Sequence, residues 1–317
     1  MTNDKINSKQ VRRSHLVLAL AAVIPAIAPS VESAGPPYLN GFKAVRVHYS
    51  PLNKMMMSVR INGQPANLLV DTGSNQIILD AAAADSWGIK PSQRNLRYIR
   101  STRVNGQELP VAFAQNLSAG NMSFGSLLVA LRDSKHRAAQ DSDVDGILGL
   151  DFFERYKAAI NCRAKLVFFR TDRAQKMDLR PVALEEKFTT IPLRRERNGA
   201  LTVPCSIHGQ PTRLLVDTGS FITIFHEPLL KAVGIPVEAT RVSVHFPSGM
   251  SRKVSAGRIG DLKIGNFKTP SAKFGVATLP HFTLLQGDTV VSGILGMETL
   301  YKCHGIIDLD SMNLFLK

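Results

Sequence analysis

The heptapeptide Leu-Leu-Val-Asp-Thr-Gly-Ser occurs twice, at 68–74 and 214–220, so that Asp71 and Asp217 stand 146 residues apart. Across the longer windows 63–74 and 209–220, ten of twelve residues are identical; only Ala66/Thr212 and Asn67/Arg213 differ. A second echo follows each copy. Gly146-Ile147-Leu148-Gly149 and Gly293-Ile294-Leu295-Gly296 begin 75 and 76 residues after their respective aspartates. Two separated motifs that recur in the same order and spacing mark duplication of a whole structural unit, so the two copies must share one fold. The copies span 42–170 and 188–317. Between them lies a polar connector, 171–187, which contains Pro181 and is expected to cross between two lobes. The 317 residues suffice to give each lobe a core.

Local patterns inside each copy favour strands. In the first, Phe42–Tyr49 leads through a Pro51 turn to Met55–Ile61, and Asn62-Gly63 turns the chain back into Gln64–Val70. In the second, Thr190–Leu193, Leu201–Ile207, the His208-Gly209 turn and Pro211–Val216 follow the same order. Asn-Gly between apolar runs is a strong hairpin signal. A short strand follows each aspartate motif (Gln76–Leu79, Ile222–Phe225), then a short helix (Ala81–Trp87, Pro228–Val233) ending at Gly88 or Gly234. Strands at Leu127–Leu131 and Ala272–Val276 precede the Gly-Ile-Leu-Gly segments. Helices at Asp151–Tyr156 and Met297–Tyr301 follow them, with last strands at Lys165–Phe169 and Asn313–Leu316. Many short strands with closely spaced turns predict an all-β, bilobal architecture with few helices. Met55-Met56-Met57 is expected to alternate within a strand.

The amino terminus reads differently. Lys5, Lys9, Arg12 and Arg13 precede an apolar run from Leu16 to Ala28 and then small residues, the layout of a secretory signal peptide over 1–33. An uncleaved membrane anchor is the alternative, but the run is short for a span and holds Pro25. The mature protein is therefore expected to be exported, periplasmic or secreted, with no stable membrane insertion. The net charge is +14, and removing four basic and two acidic side chains with residues 1–33 leaves +12. The basic residues are scattered and form no aromatic–basic nucleic-acid motif, so no nucleic-acid partner is expected. Cys162, Cys205 and Cys303 are odd in number and unmatched between the copies, which argues for three thiols over a disulfide framework, one bridge being the alternative.

A carboxylate followed by Thr-Gly-Ser, after Leu-Leu-Val, sits where a buried strand enters a tight turn. The glycine lets amide N–H groups approach the carboxylate. One copy alone is as well explained by an aspartate that bonds its own backbone. Two copies related by a pseudo-twofold axis bring Asp71 to face Asp217, and neighbouring carboxylates cannot both ionise cheaply. One proton is then held between them. The ionised member can act as general base on water while the protonated member donates to a carbonyl oxygen.

These residues resemble the aspartic proteases of the pepsin and retropepsin superfamily, on Leu-Leu-Val-Asp-Thr-Gly-Ser at 68–74 and 214–220 and Gly-Ile-Leu-Gly at 146–149 and 293–296. The resemblance implies two β-barrel-like lobes, a dyad of Asp71 and Asp217, and hydrolysis of an extended polypeptide bound between the lobes, with no metal or organic cofactor. It implies that Thr72 and Thr218 grip each other across the lobe boundary, beside Gly73 and Gly219, and that Ser74 and Ser220 steady the outer carboxylate oxygens. Ile147, Leu148 and Gly149, and Ile294, Leu295 and Gly296, would pack behind the catalytic turns in a loop threaded like the letter psi. The likeness of the two halves is closer to retropepsin subunits fused in tandem, so a monomer is expected. Flap hairpins are expected at Arg103–Pro110, tip Asn105-Gly106, and Val244–Lys253, tip Ser248-Gly249, with Tyr98 near the first. No flap tyrosine is assigned, and no long inhibitory prosegment is expected before Phe42.

Other chemistry lacks its motifs: the sequence has no His-Glu-x-x-His, no Gly-Lys-Ser/Thr phosphate loop and no Gly-x-Ser-x-Gly elbow. The eight histidines are dispersed, and His226 matches Asp80 at a helix start. Arg97, Arg100, Arg103, Arg241, Arg252 and Lys253 cluster near the expected flaps, read as solvated hairpin charge with a preference for acidic peptides as the alternative. The rival to an endopeptidase is a non-catalytic peptide-binding protein on the same fold; a second rival builds the dyad between two chains.

Overall fold

The computed structural model describes residues 40–51, 53–91, 101–104, 107–133, 143–245 and 251–317. Residues 1–39, with the expected signal segment, lie outside them, as do Arg97, Tyr98, Arg100, the Arg103 side chain and both expected hairpin tips. Among the described residues no helix is long and apolar enough to cross a membrane.

The first hairpin begins from its turn. Asn62 and Gly63 have φ of 50° and 83°, and His208 and Gly209 have 48° and 78°. Positive φ at both central residues gives the turn whose twist suits a two-residue hairpin. The hairpin Met55–Ile61/Gln64–Asp71 follows in the first copy and Leu201–Ile207/Gln210–Val216 in the second. In the first lobe Gln64–Asp71 runs parallel to Gly146–Gly149, which pairs antiparallel with Ile78–Asp80. Ile78–Asp80 runs parallel to Met122–Arg132, which pairs with Gln107–Ala119, and Gln107–Ala119 returns to Met55–Ile61. The ring closes as a six-stranded barrel with no free edge.

The second lobe repeats the order with interruptions. Where the first copy has Gln107–Ala119 and Met122–Arg132, the second has Ser251–Ile259 then Leu262–Ile264, and Phe267–Lys268 then Ala272–Ala277. Gly260 and Pro270 fall at the breaks, and a proline cannot donate to a ladder. The pairings Ser101–Val104 with Gln107–Ala119, and Val237–His245 with Ser251–Ile259, form the stems of the two expected flaps.

A six-stranded sheet joins the lobes. Phe42–Arg46, Leu166–Arg170 and Ala159–Asn161 come from the first copy, and Ile306–Asp308, Asn313–Leu316 and Thr189–Pro192 from the second. The seam pairs Ile160 with Ile307, equivalent residues of the two copies. The connector is more than a polar crossing: it forms the helix Arg180–Glu185 with proline in its first turn, and Met177, Leu179 and Ala183 bury against Phe42, Phe168 and Phe315 of this sheet. Met55, Met56 and Met57 are all buried, because the barrel interior takes Met55 and Met57 while Met56 packs outward against Leu69, Ile78 and Ile147. Both faces are covered only at the start of the strand; from Met57 on, burial alternates, with Ser58 and Arg60 exposed.

The short helices Ala81–Ser86 and Glu227–Ala232 start where the equivalence of Asp80 and His226 places them. Asp80 accepts from the amides of Ala82 and Ala83, while His226 makes no such cap and instead accepts from Leu279 N through Nδ1 at 3.2 Å. All three cysteines are buried free thiols, and burial pushes Cys162 and Cys205 up to about 12 and Cys303 to about 11.

Candidate active site

Each aspartate motif is the end of a barrel strand laid against a Gly-Ile-Leu-Gly strand. Leu68, Leu69 and Val70 register with Gly146, Ile147 and Leu148, and Leu214, Leu215 and Val216 with Gly293, Ile294 and Leu295. Ile147, Leu148, Ile294 and Leu295 are buried. The glycines are a steric requirement: a Cβ at Gly149 would lie 2.3 Å from the Gln76 carbonyl oxygen, and one at Gly296 2.2 Å from that of Ile222. The turn after each aspartate is pinned by the next helix, where Leu150 N donates to Ser74 O at 2.7 Å and Met297 N to Ser220 O at 2.8 Å.

The two turns meet on the pseudo-twofold axis. Thr72 N donates to Thr218 Oγ1 at 3.0 Å and Thr218 N to Thr72 Oγ1 at 3.1 Å. The hydroxyls complete the exchange, Thr72 Oγ1 donating to Val216 O at 2.8 Å and Thr218 Oγ1 to Val70 O at 2.7 Å. Both threonines are buried, so each hydroxyl both accepts and donates where water is excluded.

This grip sets the carboxylates. Asp71 Oδ1 accepts from Gly73 N at 2.8 Å and Ser74 N at 3.2 Å, and Asp217 Oδ1 from Gly219 N at 2.8 Å and Ser220 N at 3.1 Å. Each glycine lies against the opposite carboxyl. A Cβ at Gly73 would fall 2.4 Å from Asp217 Cγ, and one at Gly219 2.5 Å from Asp71 Cγ. No other residue type fits between the turns. The serines correct one expectation: their amides reach the carboxylates, while Ser220 Oγ donates to Ile222 O at 2.8 Å and Ser74 Oγ lies 3.5 Å from Gln76 O. A hydroxyl has one proton, and here it braces the turn rather than the outer carboxylate oxygen.

Burial raises both carboxyls, and the pair titrates as a unit. For Asp217 the charge of Asp71 and the hydrogen bond between the carboxyls add to desolvation, lifting it well above the carboxylate range. For Asp71 the rise from burial is offset by the hydrogen bond to Asp217, the Gly73 and Ser74 amides and the positive field of Arg132. Both shifts favour the protonated form, so the pair holds a proton between its two carboxyls. Glu196 is also buried, but differs: hydrogen bonds from Arg194, Thr202 and Thr289 outweigh its burial and hold its carboxyl below the usual range.

Two contributors escaped sequence reading. Arg132 ends a strand and carries no motif. Asn75, directly after the first motif, accepts from Arg195 Nη1 at 3.2 Å and donates to Asn198 O at 2.9 Å, so a loop of the second copy props the first turn. Its counterpart, Phe221, is apolar, and only the asymmetry at that position signals the difference. Of the flap cations, Arg241, Arg252 and Lys253 are exposed. Among the described residues no group of three or more His, Cys, Asp or Glu is placed to hold a metal ion.

Comparison with known proteins agrees with the duplicated geometry. The profile of the family described as Aspartyl protease matches twice, over residues 57–152 and 203–299. No curated protein matches the chain. Among solved structures, Basic 7S globulin from soybean superposes with a TM-score of 0.53 at 10% identity, covering 87% of this chain and 94% of that one. An aspartic proteinase from Irpex lacteus gives 0.50 at 15% identity over 87% and 96%, and conglutin gamma from lupine seeds 0.50 at 8% over 87% and 95%. At these identities the likeness is one of fold: pepsin-like, two-lobed and mostly β. Because the family profile covers more than half of the residues, and does so once per copy, the chain belongs to the aspartyl protease family.

Proposed function

We propose that the protein is an aspartic endopeptidase that hydrolyses peptide bonds with water activated between Asp71 and Asp217. The observation that carries this reading is the reciprocal approach of each motif glycine to the opposite carboxyl, which leaves the two aspartates opposed at the lobe boundary. The ionised member of the pair is the general base on the water. The protonated member donates to the carbonyl oxygen, and the roles reverse as the amine leaves. An extended polypeptide would lie between the lobes beneath the two hairpins, held by main-chain hydrogen bonds. No cofactor is required, and a single chain supplies both aspartates. The signal-like 1–33 segment makes the exported compartment part of the same proposal.

One observation favours a second reading, a peptide-binding protein without turnover: two of the similar solved structures are named as seed globulins rather than proteinases. Incubating the mature protein and its Asp217→Asn variant with a diverse unstructured peptide pool, from about pH 3 to about pH 7, separates the two. New peptide ends made by the parent alone, and suppressed by a pepstatin-type inhibitor, support the protease. Peptide retention without new ends by a folded parent supports the binder.

A further inference from the structure

The duplication supplies an internal control for a surface the dyad does not use. On the first lobe a cavity of about 530 Å³ opens where the interlobe sheet meets the end of the helix Leu150–Arg155. Lys43, Arg155, Arg170 and Arg173 line it, with the hydroxyls of Ser123 and Thr171. Among the described residues the acid paired with this set is Asp310, and it engages one terminal nitrogen of Arg170, at 3.1 and 3.3 Å. Lys43 Nζ donates to the Asn121 carbonyl at 3.3 Å, and the Arg155 guanidinium stands 5.7 Å from the Tyr156 ring centre, neither contact neutralising charge.

The second copy shows how the same positions look when their charge is balanced. Arg155 corresponds to Lys302, Arg170 to Lys317 and Ser123 to Lys268, each following the same structural landmark in its copy. Lys302 pairs with Glu298 at 2.7 Å, Lys317 with Glu186 at 3.3 Å, and Lys268 lies 3.9 Å from Asp261. In the first copy the residue equivalent to Glu298 is Asp151, four residues before Arg155, but Asp151 is taken by Arg195 of the other lobe at 2.5 Å. Arg155 is thus left without the partner its counterpart keeps. Cations gathered in a concave surface from separate chain segments focus a positive field, which scattered surface charge does not.

We propose that this cavity binds a multiply charged phosphate group. A single carboxylate would leave most of the positive charge unbalanced. A phosphate brings two or more charges and several oxygens, which suit guanidinium forks and neighbouring hydroxyls. The concave shape fits a soluble polyphosphate or phosphomonoester; a phospholipid headgroup offers the same chemistry.

Titration calorimetry of the full chain with sodium tripolyphosphate, at fixed ionic strength near 0.15 M, tests this. The parent is expected to show one site. Arg155→Gln/Arg173→Gln should weaken it at least about tenfold, or about 1.4 kcal/mol. Lys302→Gln/Lys317→Gln, at the balanced counterpart, should bind as the parent does. All four positions are removed from the dyad, and thermal melts confirm that the variants fold. Co-sedimentation with phosphatidylglycerol vesicles distinguishes the source. Vesicle binding that needs Arg155 and Arg173, without tripolyphosphate binding, assigns a lipid headgroup to the site. Binding of neither probe, or equal loss in both double variants, overturns the proposal.

Discussion

Tyr49 and Arg195 occupy the same place in the two copies, 146 residues apart, and each reaches across to the other lobe's short helix. Tyr49 meets Tyr301 edge-on, ring centres 5.5 Å apart at 88°, and its hydroxyl donates to the Cys162 carbonyl. Arg195 meets Asp151 at 2.5 Å and Glu154, the counterpart of Tyr301, at 3.1 Å. One contact is aromatic and the other ionic. At the axis, by contrast, Thr72 and Thr218 still make the same bonds with the same partners. The duplicated chain has kept chemistry identical where both copies must act on one point and let it diverge where each contact serves only one side. The divergence also makes the pairing directional: two first copies would set Tyr49 against Glu154, and two second copies Arg195 against Tyr301.

The identity at the centre is broken most severely through the carboxyls. Asp71→Asn and Asp217→Asn are each expected to reduce peptide cleavage by about 10²–10⁴-fold or more with the fold intact, measured as initial rates beside circular dichroism. Stability should move the other way. Asp217 holds its proton more tightly folded than in the unfolded chain, so the parent loses stability as pH rises above the ordinary carboxylate value of 3.8 and through the raised one. Asp217→Asn lacks that titration, and its Tm relative to the parent should climb as pH rises above the ordinary carboxylate value of 3.8. A falling difference would contradict the raised carboxyl.

Gly73→Ala and Gly219→Ala test whether the turns are as symmetric as they look. Each places a methyl against the opposite carboxyl at 2.4–2.5 Å, so both should abolish cleavage and lower Tm to a similar degree. Thr72→Val and Thr218→Val remove matched pairs of buried hydrogen bonds and should cost about 2–3 kcal/mol each in denaturant unfolding. A clear inequality between them would mean that the two halves of the grip do not share the load.

The periphery should respond unequally. Tyr49→Ala removes a packed ring, with an expected loss of about 3 kcal/mol that salt does not change. Arg195→Ala removes two partly exposed ion pairs and the bond to Asn75, and should cost only about 1–2 kcal/mol, shrinking as salt is raised. Equal costs, or equal salt dependence, would erase the distinction between the two contacts.

Much of this could be read along the chain because duplication makes local signals confirm each other. Met55–Ile61, Leu201–Ile207 and Asn313–Leu316 fall where alternation and turn residues place them, and Gly88 and Gly234 end their helices at φ of 72° and 73°. The site was legible for the same reason. One Asp-Thr-Gly-Ser is a turn, whereas two at matched spacing require a shared axis. The misreading came where burial is set by neighbours distant in sequence: the connector helix, whose apolar residues are too few to announce it. The serine hydroxyls were misplaced because a residue's amide and side chain bond independently.

The sequence by itself determined the repeat, the strand order within each copy and the pair of aspartates, all of which rest on local pattern or on self-comparison. Tertiary structure decided what depends on distance between unlike segments. It brought the field of Arg132 to the dyad and the Arg195 loop to Asn75, gave Asp151 to Arg195 rather than to Arg155, and closed the first barrel through Arg60 and Ile61 while the second stayed interrupted. Periodicity reports which face a residue turns inward; only packing reports which partner it finds there.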